Sequence, residues 1–180
     1  ALPAAETALL VIGAASGIET NTRKFFHLTA EAKKPRIIVI NKMDAENVEF
    51  PELIAAIQET FGSQCRCANL PAADRNSVID CIENSTGSSP VMDVADAHTQ
   101  LIESVIEADD ALMERYLGGE EIPRDQIAAV FVKALKAGTL IPIVFTDARR
   151  EIGIKELLDL LVRYAPSPVD AEPARLVEGE

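Results

Sequence analysis

Asn41, Lys42 and Asp44 put an amide, an ammonium and a carboxylate within four positions, directly after the apolar run Arg36-Ile-Ile-Val-Ile40. One carboxylate can accept two adjacent N–H donors as a bidentate, charge-assisted pair. Guanine offers such a pair in its N1–H and N2 amine, and adenine does not. Asp44 is placed for this task. Asn41 can give its amide hydrogens to the N7 side of the base or brace a neighbouring loop. The stem of Lys42 can lie against ring and ribose while its ammonium stays wet. Met43 is expected to point elsewhere and to be free to vary. The competing reading is a surface turn, in which Asn, Lys and Asp are all ordinary; the apolar strand just before the motif favours base recognition.

A second loop should meet the same base. After Leu140-Ile-Pro-Ile-Val-Phe145 the chain reads Thr146-Asp147-Ala148-Arg149-Arg150. The backbone N–H of Ala148 can donate to guanine O6, where a small side chain permits close approach. Asp147 either belongs to that base-contacting loop or caps the next helix. The candidate set is therefore Asn41, Lys42, Asp44, Asp147 and Ala148.

Other candidates carry less. Gly13-Ala-Ala-Ser-Gly17 lacks the Gly-Lys-Ser/Thr that a phosphate loop uses to reach phosphates and magnesium. His27 and His98 stand alone on helices, with no nucleophile or carboxylate constellation nearby. Cys65-x-Cys67 has the wrong spacing for a zinc hairpin, and alternation along a strand explains it better. No catalytic residue and no metal ligand is assigned.

These loops need elements to hold them. Thr7–Ile12, Arg36–Ile40 and Leu140–Phe145 are short apolar runs that read as buried strands. Phe25, Phe26, Leu28 and Ala32 recur at helical spacing between residues 22 and 34, and Pro35 stops that helix. A helix-length connection between two apolar strands predicts a right-handed parallel crossover. Asn41 then lies at the carboxyl end of a strand, where open α/β sheets bind ligands. Further helices are predicted over 51–61, 94–117, 124–136 and 154–164, with two short strand-like pieces at 65–70 and 78–82. The expected architecture is α/β: parallel strands with flanking helices at 1–63 and 139–168, interrupted by a small α+β insert at 64–138. Residues 169–180 read as a linker.

Composition bounds the rest. The chain has 180 residues, 48% hydrophobic and only 4% aromatic, so its core must rest on Ala, Leu, Ile and Val. The formal net charge of -12 argues against a broad patch that tracks nucleic-acid phosphates. Three cysteines in a chain this long suggest a reducing compartment rather than a disulfide framework. Asn84-Ser85-Thr86 fits a glycosylation sequon but reads as a loop. No apolar run approaches the roughly 20 residues that span a bilayer, and a cytoplasmic monomer is expected. Ala1 leads almost directly into a strand without an initiator Met, as in a piece of a longer protein.

Glu103, Glu107, Asp110 and Glu114 recur at helical spacing, with Leu101, Ile102, Val105, Leu112 and Met113 opposite. Such a row is either solvated surface or a docking face for a basic partner.

Taken together, the chain resembles the later half of the GTPase domain, with its inserted subdomain, of translation elongation factor G and its close relatives. The segments that carry the likeness are Arg36–Asp44, Leu101–Ser104, Leu112-Met-Glu-Arg-Tyr-Leu-Gly-Gly-Glu-Glu121 and Gly153–Pro168. The resemblance implies a P-loop GTPase fold, GTP or GDP with magnesium in the full-length protein, and action on the ribosome in elongation or translocation. It implies that Asn41, Lys42 and Asp44 read guanine and that Ala148 supplies the O6 contact. It also implies that Glu103, Glu107 and Asp110 face the ribosomal stalk protein. Two features depart from the family pattern: Asp147 stands where Ser is usual, and residues 64–93 are short for a housekeeping factor. A paralogue acting in ribosome recycling or protection, or a non-catalytic stalk-binding module, is the alternative. The phosphate loop and switch regions precede the first strand in that family, so this chain alone is expected to have no GTPase activity.

Overall fold

The computed structural model describes residues 4–120 and 122–169. The expected linker falls almost wholly outside them.

Four parallel strands form the main sheet: β1 (Ala8–Gly13), β2 (Arg36–Asn41), β3 (Cys65–Cys67) and β6 (Ile141–Phe145). Their spatial order is β1-β2-β6-β3, so the last strand in sequence slots between two earlier ones. β2 and β6 are central and dark on both faces: Ile37, Ile38 and Ile40, with Ile141, Ile143 and Phe145, are fully buried. Unbroken apolar runs of this kind are what a doubly covered parallel strand requires. β1 is different. It lies at the sheet edge, burying Leu10 and Ile12 while Val11 on its other face is 61% exposed. The expectation of a strand buried on both faces does not hold there.

α1 (Thr20–Glu31) returns the chain from β1 to β2, and α2 (Phe50–Phe61) leads from β2 to β3. α1 ends three residues short of the predicted 34, with Lys33 in the left-handed region at φ 52° before Pro35. Phe26 of α1 stacks on Phe61 of α2, ring centroids 4.1 Å apart, and the Arg36 guanidinium lies over Phe26 at 4.5 Å. α6 (Ile154–Tyr164) follows β6.

Between β3 and β6 the chain makes an antiparallel hairpin, β4 (Asn69–Pro71) with β5 (Val78–Asp80), then α3 (Val94–Ile106), α4 (Asp110–Leu117) and α5 (Arg124–Ala137). Two differences from the sequence reading appear here. Cys65–Cys67, read as the start of the insert, pairs in parallel with β6 and completes the main sheet. The single helix predicted over 94–117 is two helices. Asp109 breaks it by capping α4, its carboxylate accepting from the Leu112 amide at 3.3 Å while Lys133 Nζ on α5 pairs with it at 3.1 Å. An aspartate that bonds its own downstream backbone competes with helix continuation. α3 is tied to the sheet by Arg66, which donates to Ser104 Oγ at 3.0 Å and Gln100 Oε1 at 3.3 Å.

Candidate guanine-binding site

β2 and β6 are hydrogen-bonded neighbours, so the loops that follow them emerge side by side at the carboxyl edge of the sheet. The Asn41 side chain joins them. Its Oδ1 accepts from the Ala148 amide at 3.0 Å and from Thr146 Oγ1 at 3.3 Å. The main chain repeats the link: Thr146 N donates to the Ile40 carbonyl at 2.8 Å and Met43 N to the Thr146 carbonyl at 3.2 Å. The loop after β1 joins through Ala14 N, which donates to the Asn41 carbonyl at 2.9 Å.

On this frame Lys42 and Asp44 are exposed, and Lys42 takes a left-handed conformation at φ 61°. Among the described residues neither the Asp44 carboxylate nor the Lys42 ammonium has a hydrogen-bond or ion-pair partner. Met43 between them is fully buried. The motif therefore alternates, sending two charged groups out and one thioether into the core. Met43 is not free to vary, because its side chain fixes the loop to the protein interior.

The second loop departs from expectation at two atoms. The Ala148 amide, expected to face the base, donates to Asn41. The Asp147 carboxylate is 1% exposed and turned into its own loop. Its Oδ1 accepts from the amides of Arg149 and Arg150 at 3.1 and 3.2 Å, the pattern of an Asx turn. Its Oδ2 has no hydrogen bond, and the Arg150 Nε is 3.8 Å away. The loop closes through a two-residue bridge: Asp147 N donates to Ile152 O at 2.8 Å and Ile152 N to Asp147 O at 3.0 Å. Gly153 ends it at φ 73°, where a Cβ would lie 2.4 Å from the Phe145 carbonyl, so only glycine fits.

Two supporting residues gave no sequence signal. Asn69, 3% exposed, donates Nδ2 to the Phe145 carbonyl at 3.2 Å and accepts from the Phe145 amide at 2.6 Å. Its side chain pairs with β6 as a strand backbone would, just where the chain leaves the main sheet after β3. Arg75, from the β4–β5 turn, donates to the Ala45 carbonyl at 3.4 Å. Both come from a hairpin that pattern reading treats as unconnected to the motif.

Glu103, Glu107 and Asp110 are all exposed but do not share one helix. Glu103 lies in α3, Glu107 caps its end and Asp110 opens α4. No group of three or more His, Cys, Asp or Glu side chains among the described residues could hold a metal ion.

A parallel sheet flanked by helices, with this topology, is the fold of a GTPase domain. The chain belongs to the family of the elongation factor Tu GTP binding domain, whose model matches residues 1–167. It is 29% identical over 178 residues to an elongation factor G-like protein of Thermotoga maritima, covering 92% of this chain and 26% of that protein. It is 33% identical over 187 residues to elongation factor G of Fervidobacterium nodosum, covering 93% and 27%. A crystal structure of a Thermus thermophilus protein superposes with a TM-score of 0.81 at 26% identity, over 93% of this chain and 28% of that one. The chain thus spans about a quarter of the length of these relatives. Membership of a GTP-binding family makes guanine nucleotide the ligand class.

Proposed function

We propose that this chain is the base-reading part of a translational GTPase of the elongation factor G type. The observation that supports this most is the placing of Asn41 against Ala148, which sets the exposed Lys42 and Asp44 beside the second loop at the sheet's carboxyl edge. Asp44 accepts the guanine N1–H and N2 amine together, and the Lys42 stem covers the ring. Ala148 donates its N–H to O6 either by sharing the hydrogen between O6 and Asn41 Oδ1 or by giving up the bond to Asn41. Asp147 shapes that loop from inside and keeps its charge away from O6. Bound nucleotide would bring its own magnesium and phosphates, and the groups that hold them are not among the candidates here.

Titration of the labelled chain with millimolar GDP tests this. Amide shifts are expected at residues 41–44 and 147–149, with none for ADP and none in Asp44→Ala. Equal shifts with ADP would overturn the reading.

In the whole protein the role is GTP binding and hydrolysis in elongation or translocation on the ribosome, in the cytoplasm. The exposed carboxylates of Glu103, Glu107 and Asp110, on a chain of charge -12, suit a basic docking partner, for which the ribosomal stalk protein is proposed. Lysine at all three positions is expected to weaken stalk-protein binding at least tenfold, more at low salt than at high. An unchanged titration would leave the three as solvated surface.

A further inference from the structure

The turn between β4 and β5 lies outside both base-reading loops, yet it is bonded to each. Arg75 of the turn donates Nη1 to the Ala45 carbonyl, one residue past Asp44, at 3.4 Å. Its guanidinium carbon lies 5.0 Å from the centre of the Phe50 ring, at the start of α2. From the other loop Arg150 donates Nη1 back to the Arg75 carbonyl at 3.5 Å and Nη2 to Asn76 Oδ1. Underneath, Phe50 meets Phe145 edge-on with ring centroids 5.6 Å apart. Phe145 is the strand residue that leads into the second loop. The two loops are therefore joined at the sheet edge, by Asn41 and the main chain, and again through the insert by Arg75 and Arg150.

The turn itself is held by its own hydrogen bonds. Arg75 N donates to the Ala72 carbonyl at 2.8 Å, Ala72 N to the Ser77 carbonyl at 2.9 Å, and Asn76 N to Asp74 Oδ1 at 3.0 Å. Arg75 has a φ of 55°, a conformation uncommon for a residue with a Cβ. Holding an arginine there aims a planar group that can stack on Phe50 and donate sideways at once. A lysine ammonium offers no such plane.

We propose that Arg75 is a positioning residue for guanine recognition, fixing the separation between the carboxylate loop (41–45) and the amide loop (147–150) from within the insert. It rests on the base-reading role proposed above. Asp44 and Ala148 must address neighbouring atoms of one rigid ring, so a small change in their spacing acts on both contacts together. The hairpin turn sets that spacing without touching the base. Any partner that moves the hairpin thereby alters nucleotide affinity.

Hydrogen exchange on the labelled chain decides this, because both loops carry reporter amides. Ala45 N donates to the Lys42 carbonyl at 3.1 Å and Ala148 N to Asn41 Oδ1 at 3.0 Å. In Arg75→Ala the exchange of both is expected to rise about fivefold, the factor for losing one modest hydrogen bond. Amides of β1 and β2 should not change. Arg150→Ala should give the same pattern, the double variant should add little, and Arg75→Gln should fall between. Arg124→Ala, which breaks the Arg124–Glu83 pair elsewhere in the insert, should leave both loops as they were. A role confined to holding the hairpin together would speed exchange at Ala72 and Arg75 and leave Ala148 untouched, and that result in Arg75→Gln overturns the proposal. Millimolar GDP supplies the second arm, with affinity expected about fivefold weaker in Arg75→Ala. Coupled loops without any GDP-induced shift in the unaltered chain would refute the base-reading role alone. GDP binding that survives Arg75→Ala unchanged would refute the positioning role alone.

Discussion

Asn41 Oδ1 accepts from the Ala148 amide at 3.0 Å, closing a contact between residues 107 apart in the chain. Of the two roles the sequence leaves open for Asn41, contact with the base or bracing of the neighbouring loop, the folded chain shows the second: the side chain is the clasp between the two loops. The same oxygen accepts from Thr146 Oγ1, so one side-chain atom holds the turn after β6 at two points. The motif's first position is structural before it is chemical.

Replacing Asn41 with Ala removes both acceptor contacts. The expected cost is about 0.5–1.5 kcal/mol, the net worth of an ordinary hydrogen bond, because the Ala148 amide is exposed to water and Thr146 Oγ1 keeps the Ile40 carbonyl as acceptor. At about 2–4 °C per kcal/mol for a chain of this size, the melting temperature should fall measurably. GDP-induced shifts at Asp44 should disappear as well, although Asp44 itself is intact. An Asn41→Ala chain that melts with the parent and still shifts with GDP would show that the clasp is incidental.

Asp147 is fixed by what it accepts rather than by its charge. Asp147→Ala should destabilise by about 1–3 kcal/mol, because the Arg149 and Arg150 amides lose their common acceptor. Asp147→Ser should cost less, since a hydroxyl oxygen can make the same turn and the Oδ2 it discards has no hydrogen bond. Denaturant midpoints for the two variants provide the comparison. Equal loss in both would mean that the buried carboxylate matters through its pairing with Arg150 instead.

The legible parts of this molecule are those with strong local patterns. Apolar runs mark β2 and β6, and the helices predicted over 51–61, 124–136 and 154–164 lie within a residue of where they occur. Three features escaped, each because a distant residue decides it. Asp109 splits the predicted long helix with help from Lys133, which is 24 residues away. Cys65–Cys67 joins the main sheet because β6, about 75 residues later, leaves an edge for it. Arg75 reaches the first loop from a turn whose composition says only that it is a turn. Within the motif itself, Met43 turns inward for a simpler reason. An apolar residue between polar ones marks an inward position, and that signal was in the sequence.

Met43 supplies a direct test of that inward position. It is fully buried, and Met43→Ala is expected to cost about 2–5 kcal/mol through lost burial and the cavity left behind. Met43→Leu keeps the volume and should cost under about 1.5 kcal/mol. Urea denaturation separates the two. Near-equal midpoints would place Met43 at a tolerant surface and return it to the variable position first expected.

The cysteines predict how the fold responds to alkali. Cys65 and Cys81 are fully buried and Cys67 is 5% exposed. Burial is the largest influence on each. It pushes the Cys65 thiol up to about 12, against a smaller opposing pull from Arg36 and Arg66, and Cys81 also up to about 12. Cys67 is raised too, by burial and by neighbouring Cys81. Only thiolate reacts with thiol reagents, so the native chain at pH 8 should label far more slowly than a free thiol, and denaturant should release three reactive groups. The linkage has a definite sign. Between the ordinary thiol value of 9.0 and about 12 the unfolded chain has lost thiol protons that the folded chain retains. Stability is therefore unaffected by these groups below pH of roughly 8 and falls as pH rises through that window. Tyr164, also raised by burial, adds to the same decline, so the thiol share must be isolated by substitution. Urea midpoints measured from pH 7.5 to pH 10.5, values chosen to bracket roughly the onset of thiol ionisation, should drop less steeply in Cys81→Ala than in the parent. Parallel curves for the two chains, or rapid labelling of the folded chain at pH 8, would show that these thiols are open to solvent.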